Sequence, residues 1–130
     1  VHGVPITFQG TGVSEDTQLI SGFAGDNFGG APNIDVGNTS GVRRSLLRYP
    51  TLGSALSGET VASASLTLGT QLAFFGPFTN ETIFVHVVTP ANVGWVEGTS
   101  AAIGDPDTGF STWSERVEGS TAWAGSAGMS

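Results

Sequence analysis

The segment VASASLTL, residues 61–68, alternates between apolar and polar side chains. From Ala62 to Leu68, every second position carries alanine or leucine, and serine or threonine occupies the positions between them. A period of two is typical of a β-strand that has one face in a core and the other in water. The segment therefore predicts a half-buried strand, the unit from which all-β proteins are built.

The same pattern predicts further short strands on both sides of this segment. Residues 82–89, TIFVHVVT, form the run that is richest in β-branched residues. Shorter strand patterns occur at residues 17–21, 33–36 and 44–49, with turns rich in glycine and asparagine between them. Several short strands separated by turns predict an all-β fold, as an antiparallel β-sandwich or jelly roll.

Composition excludes several classes of protein. The chain has 130 residues, a net charge of −7, no cysteine and 20 glycines. Its length suits one domain, and its glycine content disfavours a helical bundle or a doubly wound α/β fold. The acidic balance gives no basic surface for nucleic acid, and no apolar run reaches the roughly 18 residues of a membrane span. Low charge with abundant serine, threonine and glycine favours a secreted protein, extracellular or at a cell surface.

Eight short segments occur in a fixed order along the chain: EDTQLI (15–20), IDVG (34–37), RSLLRY (44–49), VASASLTL (61–68), VHVVT (85–89), WVEG (95–98), STW (111–113) and WAG (123–125). Taken together, they resemble the DNRLRE-type domain, a jelly-roll family of secreted bacterial proteins related to carbohydrate-binding modules. The resemblance covers residues 13–128 and implies the jelly-roll fold. It also implies that the chain, ending at Ser130, lacks the last strands of the family.

Residues 1–12 are predicted to form an extended arm and its glycine hinge, which precede a sandwich domain, residues 13–130. Val4, Ile6 and Phe8 fall on one face of the arm, and glycines at its end predict a hinge. A proline at position 5 is typical of a strand paired along one edge only. We name residues 1–8 the arm.

The arm and the missing strands together predict self-assembly. A sheet that lacks a strand exposes unpaired backbone groups and an apolar slot, which the arm of a neighbouring copy can fill. A head-to-tail contact of this kind propagates into a filament unless it closes into a ring. The alternative is that the arm forms the first strand of its own sandwich.

No pattern in the chain predicts catalysis, and we expect a protein that is not an enzyme. His2 precedes the arm's strand pattern, and His86 alternates with Phe84 and Val88 in a strand pattern. The chain has no G-x-S-x-G motif, and without lysine it has no phosphate-binding P-loop. A structural subunit of an extracellular assembly is the expected function. The alternative is a carbohydrate-binding module that attaches a larger secreted protein to polysaccharide.

Three kinds of candidate site accompany these functions. Calcium takes carboxylate oxygens, and the candidate ligands for a structural calcium are Asp16, Asp26, Asp105 and Asp107. Aromatic faces stack on sugars, and the candidates for carbohydrate contact are Trp95, Trp113, Trp123 and Tyr49. Two N-x-S/T sequences make Asn38 and Asn80 candidates for glycosylation.

Overall fold

The computed structural model describes residues 5–9, 12–38, 41–69, 82–104 and 108–129. These residues are mostly non-helical, and their strands form two small antiparallel sheets, which agrees with the predicted all-β class. The strands are β1 (Glu15–Ile20), β2 (Arg43–Arg48), β3 (Glu115–Val117) and β4 (Thr121–Ala122). The helical turns are α1 (Leu52–Ala55) and the 3-10 turns Ser21–Phe23, Pro90–Asn92 and Ala127–Met129. None of the helices in these ranges is long and apolar enough to cross a membrane.

The sheet of β1 and β2 confirms the strands predicted near residues 17–21 and 44–49. The two strands are antiparallel, with Glu15 opposite Arg48 and Ile20 opposite Arg43. In the segment that connects the two strands, Gly37 forms an isolated antiparallel bridge with Arg43. The register brings a carboxylate and a guanidinium together at one end of the sheet, where they form an ion pair.

The core is small and is assembled from distant parts of the chain. Leu19 and Leu46, one from each strand of the first sheet, pack with the buried indoles of Trp95 and Trp123. Val88 and Trp113 are partly buried against this cluster. The core therefore joins the β1–β2 sheet to the C-terminal third of the chain.

The second sheet is a short hairpin that the sequence patterns did not predict. β3 pairs with β4 through Glu115–Ala122 and Val117–Thr121, and the register shifts between these pairs. Strands of three and two residues are too short to show a period of two. The hairpin is held from outside itself, since Ser111 Oγ accepts a hydrogen bond from Val96 N at 2.7 Å and donates one to Arg116 O at 2.5 Å.

Three predicted strands are wrong in the described residues. Residues 33–36 form no strand, and only the neighbouring Gly37 is bridged. Residues 61–68, expected to be half-buried, and residues 82–89 belong to no ladder and are largely exposed. The physical reason is that a strand needs a partner, and none of the described residues pairs with these segments.

The exposed apolar surface is large for a chain of this size. More large apolar side chains are exposed than are buried among the described residues. Much of the apolar surface of the described residues is therefore open to solvent.

Candidate functional site

The most unusual feature of the structure is two segments, residues 61–69 and 82–88, that form no ladder with any other described residue. We call them the unpaired segments. No hydrogen bond between described residues involves the backbone of either segment. Both have the alternation or β-branched content of strands, yet nearly every residue in them is exposed. Exposed strand-forming backbone with apolar side chains is a template for pairing with another chain.

The second of these segments carries the most exposed apolar side chains. Phe84 and Val85 are each 76% exposed and Val87 is 95% exposed. A continuous apolar run such as this one is typical of a strand that is covered on both faces. This segment therefore has a composition that is typical of a buried strand, although its side chains are exposed.

The arm is also unpaired where the structure describes it. Residues 5–9 form no strand and no hydrogen bond with other described residues, and Ile6 is 49% exposed. Phe8 is half-buried, with its ring centroid 6.1 Å from that of Tyr49 in the same chain. Val4 lies outside the described residues. Within its described residues, the arm makes an aromatic contact with its own subunit and adds no strand to either sheet.

The aromatic candidates for carbohydrate contact are mostly covered by protein. Trp95 is 3% exposed and Trp123 is 5% exposed, so neither indole presents a face to solvent. The Trp123 Nε1–H donates to Thr112 O at 3.0 Å, which satisfies the indole's buried donor. Trp113 and Tyr49 are half-buried, and Gly128 packs closely against the Trp113 ring. This placement argues against a sugar platform built on Trp95 or Trp123.

Two arginines of β2 stack on the indole rings of Trp95 and Trp113. The Arg48 guanidinium carbon lies 4.6 Å from the Trp95 ring centroid, and that of Arg44 lies 5.4 Å from the Trp113 ring centroid. The Arg48 guanidinium also pairs with Glu15 and donates to Val93 O at 2.9 Å. Side chains two apart share one face of a strand, so Arg44 and Arg48 stack on the same side as Leu46. These contacts make the arginines part of the packing around the core.

The acidic candidates for calcium do not form a cluster in the described chain. No group of three or more histidine, aspartate or glutamate side chains that could hold a metal ion occurs among the residues the structure describes. Asp16 lies beside Glu97, whose Oε1 accepts the Asp16 backbone N–H at 2.8 Å. Asp26 instead accepts the Gly104 N–H at 3.2 Å. Asp105 and Asp107 lie outside the described residues.

The Asp16 carboxyl has an altered acidity that gives a test of this part of the fold. Burial raises the pKa of Asp16, and the nearby Glu97 carboxylate raises it further. A raised pKa means that the folded chain holds this proton more tightly than the unfolded chain, so this group makes the fold less stable as pH rises through its folded-state pKa. Asp16→Asn is therefore expected to raise the Tm at pH 7 and to have no effect near pH 3, below the ordinary aspartate pKa of about 3.9.

Thermal unfolding by circular dichroism at the two pH values measures this difference. Glu59→Gln is the matched control, because Glu59 is an exposed carboxylate in the turn region after α1. A Tm change in Asp16→Asn that is the same at both pH values would contradict the assignment.

The structure gives the exposure of one of the two glycosylation candidates, Asn38. Asn38 is exposed in the turn before β2, and the two residues that follow it lie outside the described residues, as does Asn80. Both stay predictions.

The buried polar centre of the fold is Asn27, whose structural role the sequence patterns did not reveal. Its side chain is fully buried, and its Nδ2 donates to Glu97 O at 2.7 Å and to Ser111 O at 2.8 Å. Its Oδ1 accepts the Gly29 N–H at 3.0 Å. Asn27 therefore ties together three segments that are remote in sequence. The surrounding glycine-rich loop was the only sequence signal, and it predicts a turn rather than a buried amide.

No protein-family model matches the chain, and no curated protein or solved structure resembles it. The resemblance to the DNRLRE-type domain stays a prediction.

Proposed function

We propose that the protein is a non-enzymatic, extracellular structural subunit that self-assembles by donating its arm to a neighbouring copy. The observation that carries this proposal is the pair of unpaired segments, whose strand-forming backbone and apolar side chains are exposed. A jelly-roll sandwich completed between molecules is the architecture that accounts for strand patterns without strand partners.

The arm has the properties of a donor strand. Its described residues have the alternating sequence of a strand and no charged side chain, and they form no β-ladder with other described residues. Its described contact with its own subunit includes the Phe8–Tyr49 ring pair, which is worth about 0.5–1.5 kcal/mol beyond the area that it buries. Such a contact is readily exchanged for a full set of strand hydrogen bonds and apolar contacts on another subunit.

The energetics require both donor and acceptor surfaces. Complete burial of an exposed valine, isoleucine or phenylalanine contributes about 1.5–3 kcal/mol. Burial of the four exposed apolar side chains at residues 83–85 and 87 would contribute at most about 6–12 kcal/mol. This gain is comparable with the roughly 4–15 kcal/mol that association costs. The apolar side chains of the arm are needed to make the contact stable, so removing them should prevent assembly.

Deletion of residues 1–8 is expected to leave soluble monomers where the full chain forms polymers. Light scattering after size-exclusion chromatography and electron microscopy measure the difference, at an ionic strength near 0.15 M that screens the net charge of −7. A full-length chain that stays monomeric, or a truncated chain that polymerises equally, would refute the proposal.

A matched pair of point variants tests the arm without shortening it. Ile6→Lys places a charge on the predicted apolar face and is expected to block assembly. Thr7→Lys places the same charge on the opposite face and is expected to preserve it. Equal effects of the two variants would mean that the arm does not bind as a strand.

The carbohydrate-binding alternative is tested on the same material. A glycan array probed with the full chain is expected to give no specific signal, because Trp95 and Trp123 are buried. A signal that weakens in Trp113→Ala would favour the carbohydrate-binding function.

A further inference from the structure

We propose that residues 82–88, the acceptor segment, form the strand on which the arm of a second copy docks. This inference rests on the proposed function and adds to it the location of the binding surface. Both unpaired segments have strand-forming sequences, and the inference assigns the docking surface to one of them.

The acceptor segment packs on its own core only at its last residue, and the rest of it is exposed. The rings of Phe84 and His86 lie 6.3 Å apart, close to the separation of neighbours on one face of an extended chain. Val88, the next residue in this alternation, packs against the core cluster. The intervening residues Ile83, Val85 and Val87 therefore make up the opposite face, and they are 59%, 76% and 95% exposed.

The arm of a second copy matches this segment in charge. Two copies that each carry a net charge of −7 repel one another, so their contact is best made where neither carries a charge. Residues 4–9 contain no charged side chain, and neither does the acceptor segment apart from the titratable His86.

One edge of the arm also has the backbone N–H groups that pairing with the acceptor segment requires. Within a strand, successive residues point their N–H and C=O groups to opposite edges. Pro5 removes a donor from one edge, whereas the edge formed by Val4, Ile6 and Phe8 keeps all of its donors. The acceptor segment contains no proline and makes no backbone hydrogen bond with the described residues, so it can pair with that edge.

The other unpaired segment is a weaker acceptor. In residues 61–69 one face carries serine and threonine, and the other carries alanine and two leucines, Leu66 and Leu68, which are about half exposed. Less apolar surface is available there, and one side of the segment is polar, as in a strand that faces water. The acceptor segment therefore offers the larger gain on burial.

A charge placed on each candidate surface tests the choice. Val87→Lys is expected to raise the protein concentration required for assembly at least about tenfold, because docking would bury an unpaired charge. Leu66→Lys makes the same change in the other unpaired segment, and Val36→Lys makes it at an exposed valine elsewhere, so both are expected to assemble like the parent. Since Val87 is 95% exposed, its substitution should leave the monomer folded, as circular dichroism would verify.

Cross-linking gives a direct second readout, because the chain contains no cysteine. A chain carrying Ile6→Cys is mixed with one carrying Val85→Cys and oxidised, and a disulfide-linked heterodimer is expected. The pair Ile6→Cys and Leu66→Cys is the control and is expected not to cross-link, since a disulfide requires Cα atoms within about 7 Å.

The outcomes separate this inference from the proposed function. Assembly that requires the arm but is unaffected by Val87→Lys, or that is blocked equally by Leu66→Lys, would refute the acceptor segment and leave strand donation standing. Failure of the parent chain to assemble would refute both. Cross-linking through Leu66→Cys instead of Val85→Cys would also refute the acceptor segment.

Discussion

Replacing Gly98 with alanine is expected to destabilise the folded chain by about 3 kcal/mol or more, the sum of backbone strain and overpacking. Gly98 has φ +79°, a conformation that costs an alanine about 1–2 kcal/mol. A Cβ at this position would lie 2.6 Å from Asn27 Cγ and 2.7 Å from Phe110 Cγ. Asn27 cannot easily move away, because its buried amide is held by hydrogen bonds on both its oxygen and its nitrogen.

Gly58→Ala is the matched control for this substitution. Gly58 has nearly the same φ, +81°, but a Cβ there would meet no atom within 4 Å. The control should lose only the strain of about 1–2 kcal/mol. Urea unfolding followed by tryptophan fluorescence measures both variants. Equal losses would show that the contact between Gly98 and Asn27 does not constrain the fold.

Trp95→Ala is expected to destabilise the chain by about 3–5 kcal/mol, as for other large-to-small core substitutions. Trp95 is 3% exposed and packs with Leu19, Leu46 and Trp123. The substitution also removes the aromatic surface on which the Arg48 guanidinium stacks. In so small a core, the loss is expected to unfold much of the population at 37 °C, since native domains are stable by only about 5–15 kcal/mol.

Circular dichroism during urea unfolding is the appropriate measurement, because the substitution removes a fluorophore. Val93→Ala is the control: Val93 is 52% exposed and close in sequence, so its loss should change stability by less than about 0.5 kcal/mol. A stable Trp95→Ala protein that has lost only glycan binding would favour the carbohydrate-binding alternative over a core role for Trp95.

The strands of the first sheet were predictable because their signals are local. Residues 15–20 and 43–48 have strand-forming composition, and glycine- and asparagine-rich turns separate them. The pairing of the two strands, which passes over the predicted strand at residues 33–36, and the meeting of Glu15 with Arg48 were decided by the tertiary structure. The small hairpin of β3 and β4 was missed because its strands are too short to show a period.

The candidate site was predictable only in part. The alternation in the arm and the strand character of residues 61–68 and 82–89 are visible in the sequence, but their lack of partners is not. The exposure of the tryptophans was not predictable either. A sequence pattern does not distinguish an indole that is exposed to a sugar from one that is buried under an arginine. Trp95 and Trp123 are buried because segments remote from them in sequence pack over them.

The sequence by itself determined the all-β character, the acidic net charge and the position of the apolar alternations, because each depends on composition or on neighbours within a few residues. Only the tertiary structure decided which alternations obtained a partner, which aromatic side chains entered the core and that Asn27 joins three remote segments. These outcomes depend on contacts between distant parts of the chain, where backbone hydrogen bonds and apolar burial are realised or left unmade.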